Sequence, residues 1–123
     1  MDDAIWRFDG FRRAYDLSLV LHRASLEWPK VEQYGGIADQ VRRATKSVCA
    51  LLVEGNGRRP RSETEFGRYL TMAVGSADEA KLWCRYAADL DYVPPAISAA
   101  WQEELSQIAR MLQALRGRLL SDP

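Results

Sequence analysis

Apolar residues recur every three or four positions along most of this chain, which is the spacing of side chains on one face of an α-helix. Proline or glycine interrupts this pattern at three places. The pattern therefore predicts four helices, at about residues 5–27, 36–54, 62–90 and 96–120. No stretch alternates apolar and polar residues as a β-strand does. The sequence predicts an all-α fold, an up-down-up-down antiparallel four-helix bundle.

The first predicted helix carries more apolar surface than one bundle needs. The stripe predicted to face the interior comprises Phe8, Phe11, Tyr15, Leu19, His22 and Leu26. A second apolar set lies outside that stripe: Leu17, Val20 and Leu21. A helix that is apolar on two sides is normally covered on two sides. The pattern therefore predicts that copies of the chain associate.

The later helices have simpler signals. The third helix should begin at Ser62, where Ser62 and Glu65 form a capping pattern. Its predicted interior stripe is Phe66, Leu70, Ala73, Ala77, Ala80, Cys84, Ala87 and Leu90. The stripe of the fourth helix is Ile97, Trp101, Leu105, Ile108, Leu112, Leu115 and Leu119.

Gly55 and Gly57 follow the second predicted helix and have two interpretations. Glycine just past a helix can adopt the left-handed backbone that ends it. A phosphate-binding loop is the alternative, but such a loop follows a strand and carries a lysine and a hydroxyl residue. The sequence favours a helix end near residue 54.

Charge is balanced over the chain and uneven along it. The 123 residues fit a single domain, with 17 basic and 17 acidic side chains and a pI near 6.6. Basic residues nevertheless concentrate in and after the second helix, and the candidate phosphate contacts are Arg42, Arg43, Lys46, Arg58, Arg59, Arg61 and Arg68. A solvated helix face, partly paired with acidic neighbours, is the competing interpretation, and the net charge of zero favours it.

No combination of residues typical of catalysis or metal binding is present. Cys49 and Cys84 lie in helical patterns without ligand spacing and are predicted to be reduced core thiols. His22, the single histidine, is predicted to be a core or interface side chain. Glu54 and Glu79 are predicted to be structural charge partners for arginines such as Arg42 or Arg43, rather than an acid–base pair. We therefore expect no enzyme activity, no metal and no cofactor.

The sequence also lacks signals for a membrane or for export. No apolar run approaches the roughly 20 residues that span a bilayer. The start, MDDAIWRF, lacks the basic and then apolar order of a secretion signal. We expect a cytoplasmic protein without a membrane partner.

Six short motifs, in order, resemble those of the small four-helix-bundle proteins known as 23S rRNA intervening-sequence proteins. That family typically shows Y-G-L, Q-I-R-R-A, A-E-G-x-G-R, a phenylalanine-led third helix, G-S-x-x-E and L-G-Y. The corresponding stretches here are Tyr34-Gly35-Gly36, Asp39-Gln40-Val41-Arg42-Arg43-Ala44, Val53-Glu54-Gly55-x-Gly57-Arg58, Phe66 to Leu70, Gly75-Ser76 with Glu79, and Leu90-Asp91-Tyr92. The resemblance as a whole covers about residues 8 to 93.

The resemblance implies a bundle that assembles as a ring of five subunits and has no known enzymatic activity. A related branch serves as the accessory protein of diversity-generating retroelements, where a basic pentamer engages a reverse transcriptase and RNA or DNA. Two hypotheses follow. One is a non-enzymatic oligomeric scaffold that binds nucleic acid, a nucleic-acid enzyme, or both. The alternative is a protein–protein interaction module with no nucleic-acid role.

Overall fold

A computed structural model describes residues 3–120, leaving aside the side chains of residues 3 and 120. These residues form four α-helices, α1 (Asp9–Ser25), α2 (Ile37–Arg58), α3 (Glu63–Asp89) and α4 (Pro95–Leu120). Short 3₁₀ turns at Asp3–Arg7 and Lys30–Glu32 precede α1 and α2. Because the described residues include four helices and no strand, the predicted all-α four-helix bundle is confirmed.

The helices pack in chain order around one core. The α2–α3 and α3–α4 interfaces are the most extensive and are similar in size. The α1–α2 interface is smaller, and the α1–α4 interface is the smallest of the four. The largest fully buried apolar side chains are Phe11, Leu21, Val41, Val48, Leu52, Phe66, Leu70, Ile108 and Leu112. All four helices therefore contribute to a single apolar interior.

α1 buries a different face from the predicted one. Leu17 and Leu21, placed outside the stripe, are buried, whereas Tyr15 and Leu26 are 38% and 54% exposed. The buried face also contains small and polar residues, Ala14, Ser18 and Ser25. Each serine hydroxyl donates to a carbonyl of its own helix, to Tyr15 O and His22 O respectively, so a serine can lie in the core at little cost. The prediction followed the large side chains and was wrong here.

α1 still exposes apolar side chains after this correction. Tyr15, Val20 and Leu26 lie on its outer side. The helix also begins later than predicted, at Asp9, because Phe8 has extended backbone and the preceding residues form the first 3₁₀ turn. Self-association therefore stays a prediction, now resting on a different set of residues.

α2 continues one turn beyond its predicted end, through Gly55, Asn56 and Gly57 to Arg58. Gly55 is buried where α2 meets α3. A Cβ built there would lie 2.6 Å from Tyr69 Cβ and 3.0 Å from Phe66 Cδ1. Gly55 thus permits a close approach of two helices and does not end α2.

α3 and α4 largely follow their predicted stripes. The Ser62 hydroxyl accepts from the Glu65 amide at 3.0 Å, as the capping pattern predicted. Leu90 and Ile97, predicted to be interior, are exposed: Leu90 directly follows α3, and Ile97 lies in the first turn of α4. Ser98 occupies the interior position instead, and its hydroxyl donates to Cys84 O at 2.7 Å.

A charged contact crosses the sparse interface between α1 and α4. The Arg13 guanidinium donates from Nε to Glu104 Oε2 at 2.8 Å and also reaches Gln107. Both charged side chains are about 30% exposed. The hydrogen bond from Arg13 lowers the pKa of Glu104, and the same bond raises the pKa of Arg13.

We expect Glu104→Gln to lower the free energy of unfolding by about 1–2 kcal/mol at pH 7, since a hydrogen bond to an ionised group is lost. The folded carboxyl has a lower pKa than the unfolded one, so its contribution is present above the ordinary value of 4.5. It is lost as pH falls through the folded pKa. Urea unfolding of both proteins at pH 7 and pH 3 measures this, and the difference should shrink at pH 3.

Glu103→Gln is the control for this prediction. Glu103 pairs with Arg110 at 3.3 Å, but both side chains are more than 60% exposed. Such surface pairs contribute about 0–1 kcal/mol. Equal losses in the two variants at pH 7 would contradict a special role for the Arg13–Glu104 contact.

Candidate functional site

The predicted basic residues on and beside α2 fall into two groups at opposite ends of the bundle. Arg42, Arg43 and Lys46 lie in the first turns of α2, and Arg58 is its last residue. Sixteen residues at 1.5 Å each separate Arg42 from Arg58 by about 24 Å along the helix axis. The structure therefore does not bring the seven predicted residues together in one patch.

Arg42 is a structural brace. Its Nη1 donates to Ser25 Oγ at 2.8 Å, and its Nη2 donates to Gln33 O at 3.1 Å. Ser25 is the last residue of α1 and is fully buried. The guanidinium therefore joins the end of α1, the following loop and the start of α2, and it is not directed toward solvent for a phosphate.

Arg43 forms an exposed pair within α2. Its Nε lies 3.2 Å from Asp39 Oδ1, and the Arg43 side chain is 74% exposed. Asp39 also accepts from the Gly35 amide at 2.9 Å. The Gly35 amide, followed by Arg43, lowers the pKa of Asp39. Arg43 therefore fits the competing interpretation of the basic residues, a solvated helix face paired with an acidic neighbour.

Lys46 contacts His22 across the α1–α2 interface. Lys46 Nζ lies 2.9 Å from His22 Nδ1, so that ring nitrogen accepts the hydrogen bond. Partial burial, and then the charges of Lys46, Arg42 and Arg23, lower the pKa of His22. His22 is a half-buried side chain beside α2.

The second group lies where α2 ends and α3 begins. Arg58 stands over the Tyr69 ring, with Cζ 5.1 Å from its centroid, and pairs with Glu54 at 3.7 Å and Glu65 at 3.4 Å. Arg59 stands over the Phe66 ring at 5.7 Å and pairs with Glu63 at 3.8 Å. These pairs are long and about half exposed.

The fold brings further arginines to the same end. Arg7 and Arg59 line one hollow together with Phe66 and Leu115 of α3 and α4. Within residues 3–120, six exposed arginines form no side-chain hydrogen bond or ion pair, and five of them lie at this end: Arg7, Arg61, Arg68, Arg116 and Arg118. We call the full set the arginine end: Arg7, Arg58, Arg59, Arg61, Arg68, Arg116 and Arg118.

Sequence reasoning missed Arg7, Arg116 and Arg118. They lie far from α2 in the sequence, and only an antiparallel bundle places the end of α4 beside the start of α3. Because that topology was predicted, placing every arginine of the sequence on the predicted bundle would have identified these three. A hollow of about 150 Å³ opens between two members, Arg58 and Arg61, next to Ser62 and Glu65.

The two predicted charge partners behave differently. Glu54 lies 3.7 Å from Arg58, one turn away on α2, and not beside Arg42 or Arg43. Glu79 accepts a hydrogen bond from Trp83 Nε1 at 3.0 Å. The predicted pairing of Glu79 with an arginine is therefore wrong, because one turn along α3 places the indole N–H within its reach.

The loop between α1 and α2 is tightly braced at its base. Gln33 Nε2 donates to Ser25 O at 2.8 Å and Trp28 O at 3.0 Å. Glu32 accepts from the Ile37 amide at 2.9 Å and from the Tyr92 hydroxyl at 2.7 Å.

This loop nevertheless presents two large apolar side chains to solvent, Val31 at 80% and Tyr34 at 90% exposure. The next residue, Gly35, has φ of 78°, a left-handed conformation that glycine adopts without strain. Sequence reasoning passed over both side chains because nothing in the helical pattern covers a loop. We call Val31 and Tyr34 the loop knob.

An apolar groove lies on the α1–α2 face, toward the opposite end of the bundle. It has a volume of about 550 Å³, and its lining is Trp6, Phe11, Tyr15, Cys49, Ala50, Val53 and Glu54. Trp6 contacts the edges of Phe11 and Tyr15, with ring centroids 4.7 and 5.1 Å away, so the floor is an aromatic cluster. Glu54 is the charged residue of the lining.

Both cysteines are free thiols, but only Cys84 is buried in the core as predicted, whereas Cys49 is partly buried and lines the groove. Burial raises the pKa of Cys49 to about 11 and that of Cys84 to about 12, so both are protonated thiols at neutral pH. Over the described part of the chain, no three histidine, cysteine or acidic side chains lie close enough to hold a metal. None of the helices there has the length and apolar character of a membrane span.

The fold and these surfaces define a small all-helical bundle protein with an arginine-rich end, a braced loop and an apolar groove. A model of the 23S rRNA-intervening sequence protein family matches residues 7–114. The chain therefore belongs to that family, as its motifs indicated.

One solved structure with the same fold comes from Bacteroides thetaiotaomicron and is described as a protein with unknown function from the S23 ribosomal protein family. Its TM-score is 0.76 at 14% sequence identity, and the alignment covers 87% of this chain and 97% of that one. At this identity the likeness shows the fold alone. No curated protein matches the chain.

Proposed function

We propose that the protein is a non-enzymatic, self-associating cytoplasmic scaffold that contacts the phosphates of RNA or DNA with its arginine end. The observation that carries this proposal is the convergence of seven arginines from the first 3₁₀ turn, α2, the α2–α3 turn, α3 and α4. Phosphate contacts made by arginine supply most of the sequence-independent affinity for nucleic acid. Association of several copies would repeat this surface and enlarge it.

The ion pairs at this end do not oppose the proposal. Arg58 and Arg59 meet their carboxylates at 3.4 to 3.8 Å in half-exposed positions. Exposed pairs of this kind contribute about 0–1 kcal/mol, so a phosphate can replace the carboxylate at little cost. The guanidinium fork also matches phosphate oxygens in a bidentate way.

The family resemblance extends the proposal to a protein partner. A reverse transcriptase of a diversity-generating retroelement is the nucleic-acid enzyme that it implies, and the basic end would then help to position RNA or DNA. A reverse transcriptase gene beside this one, with template and variable repeats, would support this extension.

The test is binding of a structured RNA and a single-stranded DNA by wild type and by Arg61→Gln/Arg68→Gln. Both arginines are exposed and have no partner in residues 3–120, so the fold should be unaffected. We expect at least a tenfold loss of affinity at low salt, and a decrease of about 2 in the slope of log K against log salt. Fluorescence anisotropy from 25 to 200 mM salt measures both quantities.

Arg23→Gln/Arg85→Gln is the control for net charge: it removes the same charge from exposed positions away from the arginine end, and the one contact it breaks is the exposed Arg85–Asp89 pair at 3.1 Å. Equal losses in the two double variants would mean that net charge alone determines binding. No binding by wild type at tens of micromolar would overturn the nucleic-acid half of the proposal.

The second candidate function is a protein–protein interaction module with no nucleic-acid role. The loop knob favours it, because a braced loop that exposes a tyrosine and a valine has the character of an interface. Intact self-association together with an absence of nucleic-acid binding would support this candidate.

A further inference from the structure

The loop knob and the apolar groove are two unpartnered apolar features of one chain. The knob precedes the first turn of α2, and the groove is lined by Cys49, Ala50, Val53 and Glu54 near its other end. About sixteen residues of helix, roughly 24 Å, separate them. A chain therefore cannot place its own knob in its own groove.

We propose that the groove of one copy receives the Val31–Tyr34 loop of a second copy in a head-to-tail contact. This inference rests on the proposed self-association and names the surfaces that carry it. Two different patches meet in such a contact, so an open chain of copies keeps one free knob at one end and one free groove at the other until a ring closes. The contact therefore assembles more than two copies.

The chemistry of the two surfaces is complementary. The lining offers aromatic and aliphatic surface from Trp6, Tyr15 and Val53, which suits the ring of a tyrosine and the branched side chain of a valine. The charged group of the lining is the Glu54 carboxylate, which can accept from the Tyr34 hydroxyl. Lys30, exposed at the base of the loop, adds a positive charge that matches Glu54.

The loop is also prepared for docking. The hydrogen bonds of Gln33 and Glu32 already fix its backbone, so little further conformational entropy is lost when Tyr34 is buried. Val31 and Tyr34 are both more than three-quarters exposed, and a connection between two helices does not require large apolar side chains at such positions.

The knob alone is too small for a stable interface, which typically buries about 800 Å² per partner. Apolar side chains on the side of α1 that faces α2 supply further area, namely Tyr15 and Leu26. Both lie on the α1–α2 face, the side of α1 on which His22 contacts Lys46 of α2. The docked loop and this face together form the proposed interface.

Disulfide trapping tests the contact. In a Cys49→Ser background, Tyr34→Cys is combined with Ala50→Cys, since Ala50 is an exposed residue of the groove lining. The two new thiols of one chain are too far apart to bridge, because a disulfide needs Cα atoms within about 7 Å. Mild oxidation should therefore give a ladder of covalent species extending beyond the dimer on a non-reducing gel.

The control replaces Tyr34→Cys by Gly75→Cys, at an exposed position of α3 where a Cβ meets nothing within 4 Å. We expect that control to cross-link at least tenfold more slowly. Equal rates, or no ladder, would overturn the head-to-tail contact.

Light scattering of the wild-type protein distinguishes failure of the head-to-tail contact from failure of the proposed self-association. An oligomeric wild type without a ladder means that copies associate through other surfaces, whereas a monomeric wild type at tens of micromolar overturns self-association itself. Tyr34→Ser gives a second measurement without cysteines: its side chain is almost fully exposed, so the helical circular dichroism should persist while the oligomer dissociates.

Discussion

Arg42→Met should lower the free energy of unfolding by about 1–3 kcal/mol, whereas Arg43→Met should change it by less than about 0.5 kcal/mol. Two hydrogen bonds of a half-buried guanidinium, to Ser25 Oγ and Gln33 O, disappear in the first variant, and Gln33 O is left without that donor. The second variant removes only an exposed pair with Asp39. Methionine keeps most of the aliphatic volume, so the comparison isolates the guanidinium.

Urea unfolding of the two variants, followed by circular dichroism, measures this difference. The pair also decides what a loss of binding would mean. If Arg42→Met bound nucleic acid less tightly only in proportion to its unfolded fraction, the arginine would serve the fold. Equal free energies of unfolding for the two variants would contradict a structural role for Arg42. Other contacts would then have to hold the loop that carries Val31 and Tyr34.

The adjacent arginines show where sequence reasoning reached its limit. Both belong to one basic motif and neither periodicity nor charge distinguishes them. Their roles differ because Arg42 lies on the side of α2 that faces the end of α1. There it donates to the buried Ser25 hydroxyl and to the backbone carbonyl of Gln33 in the loop. Which arginine meets these acceptors depends on the conformation of the loop between α1 and α2, and the helical pattern of apolar residues does not predict that conformation.

The buried faces of the helices were predictable to different degrees. α3 and α4 are long, and their alanines and leucines keep a regular spacing over seven turns, so their buried faces were mostly identified. α1 was misjudged because Ser18 and Ser25 look polar in the sequence but bond to their own helix. Periodicity finds a buried face when apolar residues mark it, and fails where polar side chains such as Ser18 and Ser25 share that face.

The candidate site was harder to predict than the fold. The arginine end forms only after five elements meet, and the loop knob is defined by what the bundle leaves uncovered. The sequence predicted the local basic segment and the excess of apolar surface on α1. It grouped the arginines by neighbourhood in the chain, whereas the structure groups them by the end of the bundle at which they lie.

Gly55 and Gly57, separated only by Asn56 on α2, offer a test of the fold. Gly55→Ala should lower the free energy of unfolding by about 1–3 kcal/mol, because the new methyl group would lie 2.6 Å from Tyr69 Cβ and force α2 and α3 apart. Gly57→Ala should raise it by about 0.5–1 kcal/mol, because a Cβ there meets nothing within 4 Å and alanine is the better helix former.

The opposite signs are the result that matters for these glycines, since the chemical change is identical. Thermal unfolding should separate the two variants by several degrees, at roughly 4 °C per kcal/mol for a domain of this size. If both alanines were stabilising, Gly55 would be no close-contact position, and α2 would have to end near residue 54 as its glycines first suggested. If both were destabilising, the last turn of α2 would need a backbone that alanine disfavours, which contradicts a helix running to Arg58.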